Sequence, residues 1–195
     1  MNDGPSTAAV NVPNLLTLGR LLVTPLFVIL LLRGQIPAAL LIFILASITD
    51  GLDGLIARCF NQRTVLGAYL DPVADKALLM SAFICLAMMG IVPEWLTVIV
   101  LSRDILIVIG IAIFTLTEKP FRIRPSLVSK CTTAVQLLMV TVSLTAPLYS
   151  GLRPLQLPLV WTTAACTTVS GLHYVWLGMA ILQREEGAGE DDRGA

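Results

Sequence analysis

The sequence predicts an all-α integral membrane protein: a bundle of six transmembrane helices with both termini cytoplasmic. Three observations predict it. Of 195 residues, 56% are hydrophobic and 13% charged, against about 25% charged in an ordinary soluble domain. The apolar residues fall in blocks close to the ~20 residues a helix needs to cross a bilayer. The breaks between blocks are short, polar or rich in Pro and Gly.

The blocks run over 15–33, 38–60, 68–91, 95–117, 127–148 and 157–182. The breaks are Arg33-Gly34-Gln35, Asn61-Gln62-Arg63, Pro93-Glu94, residues 118–124, and Gly151-Leu152-Arg153-Pro154. One membrane domain, 1–182, is therefore expected, followed by a disordered polar tail, 183–195. No internal repeat suggests an inverted-repeat transporter. With the N-terminus inside, the cytoplasmic segments hold Arg63, Lys119, Arg122, Arg124, Arg184 and Arg193, and the outer loops only Arg33 and Arg153. That asymmetry orients the bundle. Residues 1–13 carry no Lys or Arg, which favours a bacterial inner membrane over an imported organelle protein. Thirteen basic residues balance thirteen acidic ones, so nucleic acid is not an expected partner. Cys59, Cys85, Cys131 and Cys166 form no CxxC pair and read as packing residues.

Ionisable residues nevertheless lie within or at the ends of the blocks: Arg20, Asp50, Asp53, Arg58, Asp71, Asp75, Lys76, Arg103, Asp104 and Lys130. A charge at mid-membrane costs on the order of 2.5–3.5 kcal/mol, so a purely structural bundle would not accumulate them. Snorkelling to the interface accounts for Arg58, Lys76 and Lys130 taken singly; carboxylates are too short for it. At about 100° per residue, Asp50, Asp53, Gly54 and Ala57 share one stripe of the second helix. Gly67, Asp71 and Asp75 follow i, i+4, i+8 on the third. A short loop joins the two, so the stripes are expected to face each other near the cytoplasmic side. Four converging carboxylates repel in a low dielectric, and two oxygen-preferring divalent cations, Mg²⁺ by preference, would cancel their charge. A proton relay is the weaker alternative. Gly54, Ala57 and Gly67 leave room in the cleft or serve close helix packing. The planar fork of Arg58 suits a phosphate.

Together these residues read Asp50-x2-Asp53-Gly54-x2-Ala57-Arg58-x8-Gly67-x3-Asp71-x3-Asp75. The pattern resembles the signature of the CDP-alcohol phosphatidyltransferase family at every defining position, and the resemblance extends from about Asn11 to about Leu182. It implies transfer of a phosphatidyl group from a CDP-linked lipid to an alcohol, with release of CMP. By the same resemblance Asp50, Asp53 and Asp71 hold metal, as does Asp75 in a two-ion site of Mg²⁺ or Mn²⁺. Asp75 is also the expected general base. The nucleotide is bordered by Gly54, Ala57, Arg58 and Gly67 together with Asp50, Asp53 and Asp71. A homodimer is implied as well.

The fourth and fifth blocks bear on the alcohol. Phosphatidylglycerophosphate synthases, which use glycerol 3-phosphate, carry Gly-Lys-x-Lys-Thr on the fifth span. Here the stretch is Ser129-Lys130-Cys131-Thr132-Thr133, with Thr132 at the second lysine. Arg122 and Arg124 are near enough in sequence to substitute for it. The chain is similar to CMP-forming cardiolipin synthases at Thr49-Asp50-x-Leu52-Asp53-Gly54, Asn61-Gln62-Arg63, Ser102-Arg103-Asp104 and Ser129-Lys130-x2-Thr133-Ala134-Val135-Gln136. Their substrates are CDP-diacylglycerol and phosphatidylglycerol, and this acceptor is preferred over glycerol 3-phosphate. Arg103, Lys130 and Arg20 are the candidate acceptor-binding cations. The alternative for Arg103 and Asp104 is an ion pair pinning the fourth span to its neighbours. Direct pairing of the two with each other is not expected, because adjacent residues diverge around a helix.

A cation transporter would space its carboxylates through the membrane depth and would not set Arg58 and Lys130 beside them. His173, Tyr174 and Trp176 read as an interfacial aromatic group, as do Trp95 and Trp161. Pro25 and Pro147 are expected to kink their helices.

Overall fold

The structure, a computed structural model, describes the backbone of residues 12–60, 65–116 and 127–191, and the side chains of residues 19, 21–49, 76–110 and 128–179. These residues form six α-helices: α1 (Val12–Leu32), α2 (Ile36–Phe60), α3 (Val65–Met88), α4 (Glu94–Leu116), α5 (Leu127–Thr145) and α6 (Arg153–Asp191). A 3₁₀ turn, Ser150–Leu152, precedes α6. No strand occurs among the described residues.

The boundaries follow from proline and glycine chemistry. Three helices open one residue before a proline: Val12-Pro13, Ile36-Pro37 and Arg153-Pro154. A first-turn N–H has no helical acceptor, so the missing proline N–H costs nothing there. These helices consequently start earlier than hydropathy suggests, and α6 runs beyond Leu182, where the apolar stretch ends. Two helices close in the same way. Gly34 N–H bonds Leu31 O and Gln35 N–H bonds Leu30 O; Gly90 N–H bonds Ala87 O and Ile91 N–H bonds Leu86 O. Both glycines have φ of 69°, the left-handed turn this paired-bond cap requires. Helix α5 ends at Thr145 because Pro147 disfavours helix in the residue before it. Pro147 therefore stops its helix rather than kinking it, correcting the sequence expectation. Pro25 lies inside α1.

The chain divides into two compact units, Met1–Val92 with Val140–Gln156, and Pro93–Met139 with Leu157–Ala195. In the first, α1 packs against both α2 and α3. Its interior is apolar: Phe27 and Leu31 of α1, Ala39 and Phe43 of α2, and Leu79, Ala82, Phe83 and Leu86 of α3 are buried. The Phe27 and Phe43 rings lie 5.7 Å apart, tilted by 37°. In the second unit α4 buries Leu96, Val100, Arg103 and Asp104, while α6 buries Val160, Thr163, Thr167 and Ser170.

Large apolar side chains also face outward, among them Leu22, Leu32, Leu41, Leu157, Leu172 and Trp176. Val128–Thr145 is the one stretch among the described residues long and apolar enough to cross a membrane. Leu21–Leu32, Ile36–Thr49 and Lys76–Met88 are shorter apolar stretches, each part of a helix that continues past its described side chains. Several hydroxyls in the helices are satisfied locally, whereas those of Ser143 and Thr163 are buried without a hydrogen-bond partner among the described residues. Ser47 donates to Phe43 O at 2.7 Å, Ser81 to Ala77 O at 2.7 Å and Thr145 to Thr141 O at 2.7 Å, which lets polar residues sit in an apolar helix.

Candidate functional site

The two halves of the carboxylate motif lie on α2 and α3. Asp50, Asp53, Gly54, Ala57 and Arg58 fall in the last part of α2, and Gly67, Asp71 and Asp75 in the first part of α3. Both segments are continuous helix, so the register that groups each set on one face is present in the backbone. Both helices belong to one unit, with α1 against each of them. The side chains of these eight residues, and that of Arg20, lie outside the described residues, as do 61–64 between the helices.

The donor set can still be judged by its chemistry. It is four carboxylates with no histidine among them, and the one cysteine of the stretch, Cys59, falls about 180° around the helix from Asp50; such a set suits a hard, oxygen-seeking divalent cation and not zinc. Among the described residues no group of three or more His, Cys, Asp or Glu gathers into a second candidate. His173 instead belongs to an aromatic group. It meets Tyr174 edge-on, with centroids 6.3 Å apart, and stacks on Trp176 at 6.4 Å. Trp95 and Trp161 pair at 5.5 Å.

The second unit holds the other candidate residues, and their geometry is explicit. Arg103 and Asp104 are 3% and 1% exposed. Arg103 Nη1 donates to Asp104 Oδ1 at 2.7 Å, so these neighbours do pair, against the expectation from helix geometry. Their Cα–Cβ vectors diverge, but the long arginine arm folds back over that gap within the buried face. Nη2 donates to Ser129 Oγ of α5 at 2.7 Å and to Ser170 Oγ of α6 at 2.9 Å; Nε lies 3.3 Å from the same Ser170 oxygen. The guanidinium carbon sits 5.9 Å from the Tyr174 ring centroid, within cation–π range. Tyr174 thus serves the arginine as well as the aromatic group to which the sequence assigned it.

This arrangement fits the alternative reading of Arg103, an ion pair that pins the fourth span to its neighbours. Every guanidinium nitrogen is engaged inside the protein, and the residue does what the alternative reading described, tying α4 to its neighbours. Lys130, next to Ser129, is exposed. Thr132 is 1% exposed, its hydroxyl 2.8 Å from Val128 O and 3.2 Å from Cys166 O of α6. One turn further, Gln136 Nε2 donates to Thr167 Oγ1 at 3.1 Å. The α5–α6 contact is therefore a buried polar seam. Ser170, Thr167 and Thr163 share one stripe of α6 at helical spacing, a sequence signal that would have revealed it.

Comparison with known proteins adds the following. The family model for CDP-alcohol phosphatidyltransferases matches residues 10–170. The chain is similar to a CMP-forming cardiolipin synthase of Rattus norvegicus, 33% identical over 189 residues, covering 88% of this chain and 63% of that protein. It is 44% identical over 101 residues to a probable phosphatidylglycerophosphate synthase of Mycobacterium tuberculosis, covering 49% of this chain and 48% of the relative. It is 37% identical over 108 residues to a CMP-forming cardiolipin synthase of Streptomyces coelicolor, covering 52% and 50%. The chain thus spans 63% of the length of the rat relative.

Proposed function

The chain belongs to the CDP-alcohol phosphatidyltransferase family, and we propose that within it the chain transfers the phosphatidyl group of CDP-diacylglycerol to phosphatidylglycerol, forming cardiolipin and CMP. The observation that carries this reading is extent. Likeness to the rat cardiolipin synthase covers 88% of the chain, whereas likeness to the mycobacterial phosphatidylglycerophosphate synthase covers 49%. The acceptor region agrees. Position 132, a lysine in the glycerol 3-phosphate pattern, is a threonine facing α6 inside the seam, leaving Lys130 as the exposed cation of that stretch.

In the proposed reaction Asp75 takes the proton from the free head-group hydroxyl of phosphatidylglycerol as its oxygen approaches the β-phosphorus. A new P–O bond forms there, the bond from that phosphorus to the CMP oxygen breaks, and CMP leaves. An alcohol is a poor nucleophile until deprotonated, which is what the base supplies. Asp50, Asp53, Asp71 and Asp75 would hold two divalent ions, Mg²⁺ or Mn²⁺, which neutralise the pyrophosphate and the leaving phosphate when bound. Gly54, Ala57 and Gly67 let the nucleotide approach the backbone, and Arg58 pairs with a phosphate. Lys130 and Arg20 meet the acceptor's phosphodiester. We place the protein in a bacterial inner membrane as a homodimer, with six spans, both termini and the active site on the cytoplasmic side.

Transfer to glycerol 3-phosphate is the second reading, favoured by the 44% identity of the shorter match. Purified protein supplied with CDP-diacylglycerol, Mg²⁺ and one acceptor at a time separates them. Cardiolipin from phosphatidylglycerol, with no phosphatidylglycerophosphate from glycerol 3-phosphate, is the expected result. Phosphatidylglycerophosphate as the only product would overturn it. Chelation should stop CMP release, and added Mg²⁺ should restore it.

A further inference from the structure

We infer that Arg103 is a positioning residue: its guanidinium ties the first turn of α5 to α6 and thereby sets where Lys130 presents its charge to the acceptor phosphate. The inference rests on the reading of Lys130 as an acceptor contact. It differs from a general stabilising role in that one bond of the cluster carries it.

Helix α5 begins at Leu127, so Ser129 and Lys130 lie in its first turn. A first turn lacks part of the hydrogen-bond ladder and frays unless something outside the helix holds it. Arg103 supplies that hold, Nη2 to Ser129 Oγ at 2.7 Å, a charge-assisted bond. The same nitrogen donates to Ser170 Oγ at 2.9 Å, so one atom clamps α5 to α6. Asp104 balances the buried charge through Nη1 at 2.7 Å. The arginine is itself held on α6. A Cβ added to Gly171 would meet Arg103 Cγ at 3.6 Å, ordinary van der Waals contact, so the aliphatic stem runs alongside α6 at this point. Tyr174 takes the guanidinium face at 5.9 Å.

The geometric consequence concerns Lys130. Consecutive helical residues point about 100° apart, so turning Ser129 into the seam determines where Lys130 points. Thr132 keeps the same face of α5 turned inward, with its hydroxyl 3.2 Å from Cys166 O. A lysine in place of Arg103 would keep the charge opposite Asp104. Its single ammonium lacks the planar fork that reaches Asp104, Ser129 and Ser170 at once.

The test uses the full-length protein in lipid nanodiscs and three variants: Ser129→Ala, Arg103→Lys and the two combined. Hydrogen exchange of the amides of 128–133 reads the clamp directly. Steady-state CMP release, with each acceptor titrated, reads its consequence. Each single variant should speed exchange at the start of α5 with α4 and α6 unchanged. Each should raise KM for phosphatidylglycerol about five- to tenfold, the net scale of one ordinary hydrogen bond, with a smaller fall in kcat and KM for CDP-diacylglycerol constant. The double variant should be no worse than Arg103→Lys alone, because the bond to Ser129 is already lost in that variant. Unchanged exchange at 128–133 overturns the inference. So does faster exchange in all three helices with both KM values raised, since that is general loosening. If the wild type uses glycerol 3-phosphate instead, the acceptor assignment fails, and the clamp is judged on the KM for that acceptor. If neither acceptor is used, exchange alone decides the clamp.

Discussion

Helices α1–α3 of one unit bury almost only apolar side chains, whereas α4–α6 in the other bury a polar cluster beside Leu96, Val100, Met139 and Val160. Helices α1, α2 and α3 meet through Phe27, Leu31, Phe43, Phe83 and Leu86, whereas α4, α5 and α6 meet through Arg103, Asp104, Thr132, Gln136, Thr167 and Ser170. In lipid the contrast has a physical meaning. Leucine gains nothing by leaving hydrocarbon for another leucine, so apolar helices associate by shape and close packing. Hydroxyls, amides and charges gain a partner there and accept few geometries. The apolar unit carries the helices of the carboxylate motif. The polar unit fixes helix rotation at Lys130, one of the two residues proposed to meet the acceptor.

The comparison can be broken in several ways, taken from the largest expected effect to the smallest. Asp75→Asn removes the proposed base from the apolar unit. CMP release should fall by about 10²–10⁴-fold with the thermal melting temperature unchanged, and substantial residual turnover would reject that role. Asp104→Asn leaves the Arg103 charge buried without its counter-charge, a loss of about 3–5 kcal/mol that a detergent melt would show. Replacing both together, as Arg103→Met with Asp104→Leu, should recover most of that stability but not the acceptor KM. In the apolar unit the response is graded by volume. Leu86→Ala should cost about 2–5 kcal/mol and Leu86→Met under about 1.5. A sharp loss for Leu86→Met, or a mild one for Asp104→Asn, would erase the distinction. Gly90→Ala, at φ 69°, should cost about 1 kcal/mol, shown by a small shift of the same melt.

Much of the helical arrangement was legible along the chain, because hydropathy blocks and their Pro and Gly breaks act locally. The helix ends were misjudged by a few residues for an equally local reason: proline one residue into a helix is permitted, and hydropathy does not register it. The carboxylate motif was legible because its spacing and its backbone register are both properties of single helices. The Arg103–Asp104 pair was not. Local geometry argued against it, and only the burial of both between α5 and α6, with Ser129 and Ser170 in reach, makes the folded-back arm favourable. Tyr174 likewise looked like an interfacial aromatic until α4 placed a cation over its ring.

The sequence by itself determined the helices, the family and the residues proposed for the chemistry, since each depends on neighbours within a turn or two. The tertiary structure decided which polar residues are occupied with one another and which remain exposed. Arg103 is the case in point: as one of three cations it was a candidate ligand, and in the fold its nitrogens are spent on Asp104, Ser129 and Ser170. These partners, Ser129 and Ser170, lie 26 and 67 residues away in sequence, and only packing brings them together.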